Sequence, residues 1–163
     1  MDTFSHALWG KGLFGYRKFY WYPVFFGILP DMISFGLFGI VKILFNPKSM
    51  QFGKPELSEI PAWVHSMYDF SHSMVVAMIF VLIFFKFDKN LFFASLAWPF
   101  HIILDFFTHS LEYFPTPILW PISDYKFDGI PWSNKYVFGA NLVGLIVLFS
   151  YRFFKKKNIN DIN

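Results

Sequence analysis

The alternation of long apolar runs with short polar interruptions predicts helices throughout the chain and no sheet. The first run, Phe25 to Phe45, is interrupted by Pro30-Asp31. Proline disfavours helical geometry at the residue before it and suits a helix's first turn, so the pattern predicts a break there and a new helix from about Asp31 to Phe45. Asn46 to Tyr68 reads as a polar connection carrying Pro47, Gly53, Pro55, Pro61 and His65. Ser71-His72-Ser73 then opens the most hydrophobic run, Met74 to Phe85, with Ser71 as its cap and His72 in its first turn. Lys86-Phe87-Asp88-Lys89-Asn90 is a short charged turn, so the helices flanking it form an antiparallel hairpin. Ser110 to Lys135 is a loop rich in proline and aromatics that overhangs the end of the second of these helices. Tyr136 to Phe154 is long enough to span a bilayer, with Asn141 facing other helices. Upstream, Asp2 or Ser5 caps a short N-terminal helix, which Gly10, Gly12 and Gly15 weaken.

The polar exceptions inside these runs carry the chemistry. His101, Asp105 and His109 recur at i, i+4 and i+8, which stacks them on one face of a helix. His101 and His109 are about 12 Å apart along the axis, too far for one ion. Two ions about 3.5–4 Å apart fit the stripe, with Asp105 between them offering one oxygen to each. Such residues on apolar helices are often satisfied core groups. Three in register, one a carboxylate, weigh towards metal, because an unpaired buried Asp costs several kcal/mol. Register in the hairpin adds His72: it lies about 16 residues before the turn and Asp105 about 16 after it, so the two sit level. His6 alone is a weaker signal. Asp31 reads either as a partner for a helix dipole or as a carboxylate ligand held at the break. Asp124, Lys126 and Asp128 in the overhanging loop read as substrate contacts or as solvated charges, and Asp69 as a candidate for orienting a ligand histidine.

Composition places these helices in a membrane. The 163 residues are 55% hydrophobic and 24% aromatic, and only 15% are charged, against about 25% in soluble domains. That length suits a single domain, residues 1–163, with a sizeable core. The net charge of +3 is placed unevenly, with Arg152, Lys155, Lys156 and Lys157 closing the last apolar run. A polybasic end of this kind reads as a cytoplasmic anchor against anionic lipid and not as a nucleic-acid surface. Arg17-Lys18 before an apolar stretch imitates a signal peptide, but Pro30-Asp31 stands where a small-residue cleavage site belongs. Four spans with both ends inside put Lys11, Arg17, Lys18, Lys86, Lys89 and the closing cluster on the cytoplasmic side. That strict topology separates His6 and Asp31 from His72 and His109. With no cysteine, His and carboxylate are the available metal ligands.

Ser5-His6-Ala7-Leu8-Trp9-Gly10, Ile28-Leu29-Pro30-Asp31, Ser71-His72-Ser73, His101-x3-Asp105-x3-His109 and Leu119-Trp120-Pro121-Ile122-Ser123 occur in that order. Together they resemble the membrane-bound metal-dependent hydrolase family that includes the LexA-binding, inner-membrane-associated hydrolases, whose metal pattern is similar to that of zinc-dependent phospholipase C. The resemblance runs to about Gly129 and implies that His6, Asp31, His72, His101, Asp105 and His109 are metal ligands. It departs from the family at Met32-Ile33-Ser34, where an acidic residue or histidine is usual, and at Tyr68-Asp69-Phe70-Ser71, where a basic residue is often found.

The expectation is an all-α integral membrane helical bundle of about four to five helices with a short N-terminal helix, multi-pass in the inner membrane. Its function would be metal-dependent hydrolysis of a phosphoester or related ester, lipid-like because the site lies among apolar helices. Asp105 and Asp31 would be the catalytic carboxylates, zinc the first choice of divalent metal, and membrane lipid and a small-molecule or lipid ester the partners, with no nucleic acid. The alternatives are a transporter or carrier using the same buried stripe, which would usually show repeat symmetry, and a non-catalytic membrane scaffold.

Overall fold

The computed structural model describes residues 1–17, 20–47 and 53–160, with side chains to residue 155. Lys18 and the side chains of Lys156 and Lys157, part of the expected basic face, lie outside the described residues. The described residues contain helices and no strand.

The chain starts with α1 (Thr3–Phe14), capped by Asp2, whose Oδ1 accepts the Ser5 N–H at 2.9 Å. The next helix, α2 (Tyr22–Asp31), runs back alongside it. Glycine makes this packing close: a Cβ at Gly27 would lie 2.7 Å from the His6 carbonyl oxygen. This pairing removes the expected separation of His6 and Asp31 from the later ligands: His6 Nε2 lies 2.9 Å from Asp105 Oδ1, and Asp31 Oδ1 lies 3.6 Å from His72 Nε2.

The break expected at Pro30 does not occur. Helix continues from α2 through a wide π turn (Met32–Gly36) into α3 (Leu37–Phe45). Proline removes one backbone donor, and the wide turn displaces neighbouring carbonyls from the regular ladder. Two serine hydroxyls donate to the Pro30 carbonyl, Ser34 at 3.1 Å and Ser71 at 3.0 Å. Hydroxyls are a common repair of proline-interrupted apolar helices.

The polar connection ends earlier than its composition suggests, because α4 (Ala62–Ser71) already begins at Ala62. It meets α5 (Met74–Phe87) at a bend of 51°. His72 stands between these helices, not in the first turn of α5. The cap of α5 is Ser73, which accepts the Val76 N–H at 3.2 Å. Ser71 cannot serve there, since its hydroxyl is committed to Pro30. Asp88 then caps α6 (Lys89–Ser95), which leads through Leu96 into α7 (Ala97–Thr108). The expected antiparallel hairpin is present as α5 against α6 and α7. The last helix, α8 (Lys135–Asn160), packs on α1: Asn141 accepts from Trp9 at 2.7 Å and donates to Ser5 at 2.8 Å, facing inward as expected.

One apolar cluster, including Phe26, Ala77, Ala94, Trp98 and Ile102, joins α2, α5, α6 and α7; a second gathers Phe38, Ile60, Val64 and Phe114 around Tyr68. Three stretches are long and apolar enough to cross a membrane: Tyr22–Phe45, Lys89–Thr108 and Lys135–Lys155. The bent pair of α4 and α5 makes a fourth if counted as one span.

Candidate metal centre

The site lies where α1, α2 and α7 meet the bend between α4 and α5. His6 comes from α1, Asp31 from the end of α2, His72 from the bend, and His101 and Asp105 from consecutive turns of α7. His109 departs from the expected helical stripe. It follows the last residue of α7 with extended backbone (φ −114°, ψ 139°), yet its Nε2 still reaches to 3.7 Å from Asp105 Oδ1. The six residues singled out in the sequence therefore do converge. His6, His72, His101 and Asp105 are fully enclosed, while the Asp31 and His109 side chains keep 12% and 15% exposure.

Asp105 divides the cluster. Its Oδ2 stands 3.1 Å from His101 Nε2 and 3.5 Å from His72 Nε2, and those two nitrogens are 3.2 Å apart. Asp31 Oδ1 completes this half, 3.6 Å from His72 Nε2 and 3.7 Å from His101 Nε2. Asp31, His72, His101 and Asp105 each offer a ligand atom within 4.8 Å of the others, so this buried group can hold a metal ion. On the other side, Asp105 Oδ1 lies 2.9 Å from His6 Nε2 and contacts the α-amino group of Met1, itself 3.2 Å from His109 Nε2.

The outward nitrogens of three histidines are fixed by acceptors. His101 Nδ1 donates to the Gly27 carbonyl at 2.7 Å, His72 Nδ1 to the Tyr68 carbonyl at 3.2 Å, and His109 Nδ1 to the Phe114 carbonyl at 2.9 Å. A neutral imidazole that carries its proton on Nδ1 presents a bare lone pair at Nε2. Bare lone pairs on His72 and His101 thus face each other and a carboxylate oxygen. Asp105 Oδ2 has no hydrogen-bond partner among the described residues, and neither does His6 Nδ1. Electron pairs gathered without a donor repel one another, and a cation at their centre reverses that repulsion. The donor set, imidazole nitrogen with carboxylate oxygen and no thiolate, suits zinc and other first-row divalent ions. Outside the apolar spans, burial pushes the His6 and His109 imidazoles down to about 4, which keeps both neutral at pH 7 and available as ligands.

Several supporting residues had no distinctive sequence signal. Tyr68 is buried, stacks on the His72 ring with centroids 3.8 Å apart, and places its hydroxyl 2.9 Å from His109 Nδ1 and 2.8 Å from the Phe114 carbonyl. Thr3 donates to Asp31 Oδ2 at 2.6 Å. Trp98 ties the bend to α7 through its indole N–H, which donates to the Ser71 carbonyl at 2.8 Å. The carbonyls of Gly27, Tyr68 and Phe114 are invisible to a search for side-chain motifs. Asp69 hydrogen-bonds to no histidine among the described residues, so the orienting role considered for it belongs to those carbonyls.

The loop after α7 does fold back over its end, with Gly129, Ile130 and Trp132 N–H groups donating to the carbonyls of His109, Phe107 and Thr108. Asp124, Lys126 and Asp128 are exposed, and Asp128 accepts the Leu111 N–H at 2.9 Å, shaping the loop itself. No protein-family model, curated protein or solved structure matches this chain.

Proposed function

We propose that the chain is a membrane-bound metal-dependent hydrolase that cleaves a phosphoester or related ester, in keeping with the family it resembles. The observation that carries this reading is Asp105 Oδ2, buried without a hydrogen-bond partner among the described residues and gathered with His72, His101 and Asp31 so that one ligand atom of each lies within 4.8 Å of the others. A scaffold with satisfied core histidines would have no reason to keep that arrangement.

Asp105 would bridge, with Oδ2, His72, His101 and Asp31 around one ion and Oδ1, His6 and His109 around a second. An ion on the Oδ1 side requires the Met1 amine to lose its proton or move aside. Divalent ions bound there, zinc first, would acidify a water and polarise the scissile ester. Asp31, the more exposed carboxylate, would take the proton of an attacking water, and Asp105 would hold the opposing charges together.

Depth argues for a lipid-like substrate. His101 lies roughly 18 Å along the helix from Lys89, while the partly exposed members, Asp31 and His109, lie towards the other end. If the basic end is cytoplasmic, as positive residues usually are in bacterial inner-membrane proteins, the site opens towards the opposite leaflet. The test is elemental analysis of protein purified in detergent without chelator, followed by phosphoester turnover. At least two equivalents of a divalent metal and metal-dependent turnover are expected; absence of bound metal removes the proposal.

A further inference from the structure

Towards the opposite end of α1 from His6, a cleft runs between the C-terminal part of α1 with the chain that follows it and the late turns of α8. It is lined by Lys11, Arg17, Arg152 and Lys155 together with Tyr16 and Tyr20. No acidic residue lines it, and among the described residues none of these four cations forms an ion pair with a carboxylate. Like charges drawn together without an anion repel, so the arrangement is incomplete by itself.

The cations are also held in place. Arg152 Nη1 donates to the carbonyls of Lys11, at 2.8 Å, and Gly12, and its guanidinium lies 4.9 Å from the Tyr16 ring centroid. The remaining N–H groups of its fork make no hydrogen bond among the described residues. Lys11 stands 4.1 Å from the Trp21 ring centroid and Arg17 4.2 Å from that of Phe93. Arginine forks held in one orientation suit phosphate oxygens, and exposed Tyr16, Tyr20 and Trp21 suit the headgroup level of a bilayer. The cleft sits at the end of the Lys135–Lys155 span and beside the start of the Tyr22–Phe45 span, where headgroups would lie.

We propose that this cleft binds the phosphate headgroup of an anionic phospholipid. The headgroup would sit among Lys11, Arg17 and Arg152, with its acyl chains along the exposed apolar face of α8. This assignment rests on the membrane reading alone and does not depend on the metal centre.

The test compares thermal stability of the full chain in detergent with added phosphatidylglycerol or phosphatidylcholine of the same acyl length. Phosphatidylglycerol should stabilise at roughly tenfold lower concentration. The double variant Lys11→Gln/Arg17→Gln should lose that preference, whereas Lys86→Gln/Lys89→Gln, which removes equal charge outside the cleft, should retain it. Arg152→Gln is held in reserve, since it also frees two α1 carbonyls. Equal stabilisation by both lipids overturns the proposal. So does an equal loss in both double variants, which would mean diffuse attraction to the surface. Stabilisation by inorganic phosphate matching that of the lipid would also overturn it, by showing an ion site without a lipid. If Lys11→Gln/Arg17→Gln does not fold, native mass spectrometry of the unmodified protein decides, with retention of phosphatidylglycerol over phosphatidylcholine expected and no selective retention overturning the assignment.

Discussion

On the Oδ2 side of Asp105 stand His72, His101 and Asp31; on the Oδ1 side stand His6, His109 and the Met1 amine. The first group has two carboxylates, two imidazoles locked by carbonyl acceptors, and no hydrogen-bond donor for Oδ2. The second has one carboxylate oxygen, already in contact with a positive ammonium, and a histidine lying beyond the helix end. One half is preorganised for a cation. The other is less negative and already in contact with an ammonium, so it should bind more weakly and exchange faster. Two sites that share a carboxylate need not be equivalent, and here the inequality comes from what backs each ligand.

The most damaging test is Asp105→Asn. Asparagine keeps the shape but removes the charge that both halves share, and two divalent cations cannot be held near each other without an anion between them. Metal content should fall by more than one equivalent, with turnover abolished. Retention of full metal content would break the bridge. Under the scaffold reading the same change relieves a buried charge, and the variant would be as stable as the parent or more so.

Smaller and more selective is Asp31→Asn, which takes one of two anions from the Oδ2 half alone. It should cost one equivalent, leaving the faster-exchanging ion. His109→Ala should do the reverse, removing one rapidly exchanging equivalent while the slow one stays. Chelator-competition kinetics on both variants read the difference directly. If each variant loses both ions together, the halves form one coupled site and the comparison fails.

How much of this was legible in advance depends on distance along the chain. His101 and Asp105 share a helix, so their spacing sufficed; His72 and Asp105 flank a short turn, so counting from it placed them level, and they lie 3.5 Å apart. His6 and Asp31 were harder. Joining them needs the antiparallel pairing of α1 with α2 and the close approach of Gly27 to the His6 carbonyl, neither of which hydropathy encodes. The break expected at Pro30 does not form because Ser34 and Ser71, one of them distant in sequence, satisfy the Pro30 carbonyl with their hydroxyls. The same contact takes Ser71 away from the capping role its position suggests, which Ser73 fills. The i+4 spacing continues to His109, but the backbone leaves the helix at that residue.

Tyr68 gives the smallest and most diagnostic prediction, because it touches both halves in different ways. Its ring stacks on His72, on the Oδ2 side, while its hydroxyl reaches His109 Nδ1, on the Oδ1 side. Tyr68→Phe keeps the ring and deletes the hydroxyl. His109 retains the Phe114 carbonyl as acceptor, so its tautomer is preserved and only one of its two outer supports is lost. Removing a group that orients a ligand typically weakens metal affinity about 10–100-fold; with one support remaining, about tenfold is expected, on the Oδ1 half only. Folding stability should fall by about 1 kcal/mol for the lost hydrogen bonds. Chelator competition should therefore show the fast-exchanging ion released at lower chelator concentration while the slow ion is unchanged. A shift of the slow ion instead would mean that Tyr68 acts through its packing on His72, and the division between the two sides of Asp105 would have to be redrawn.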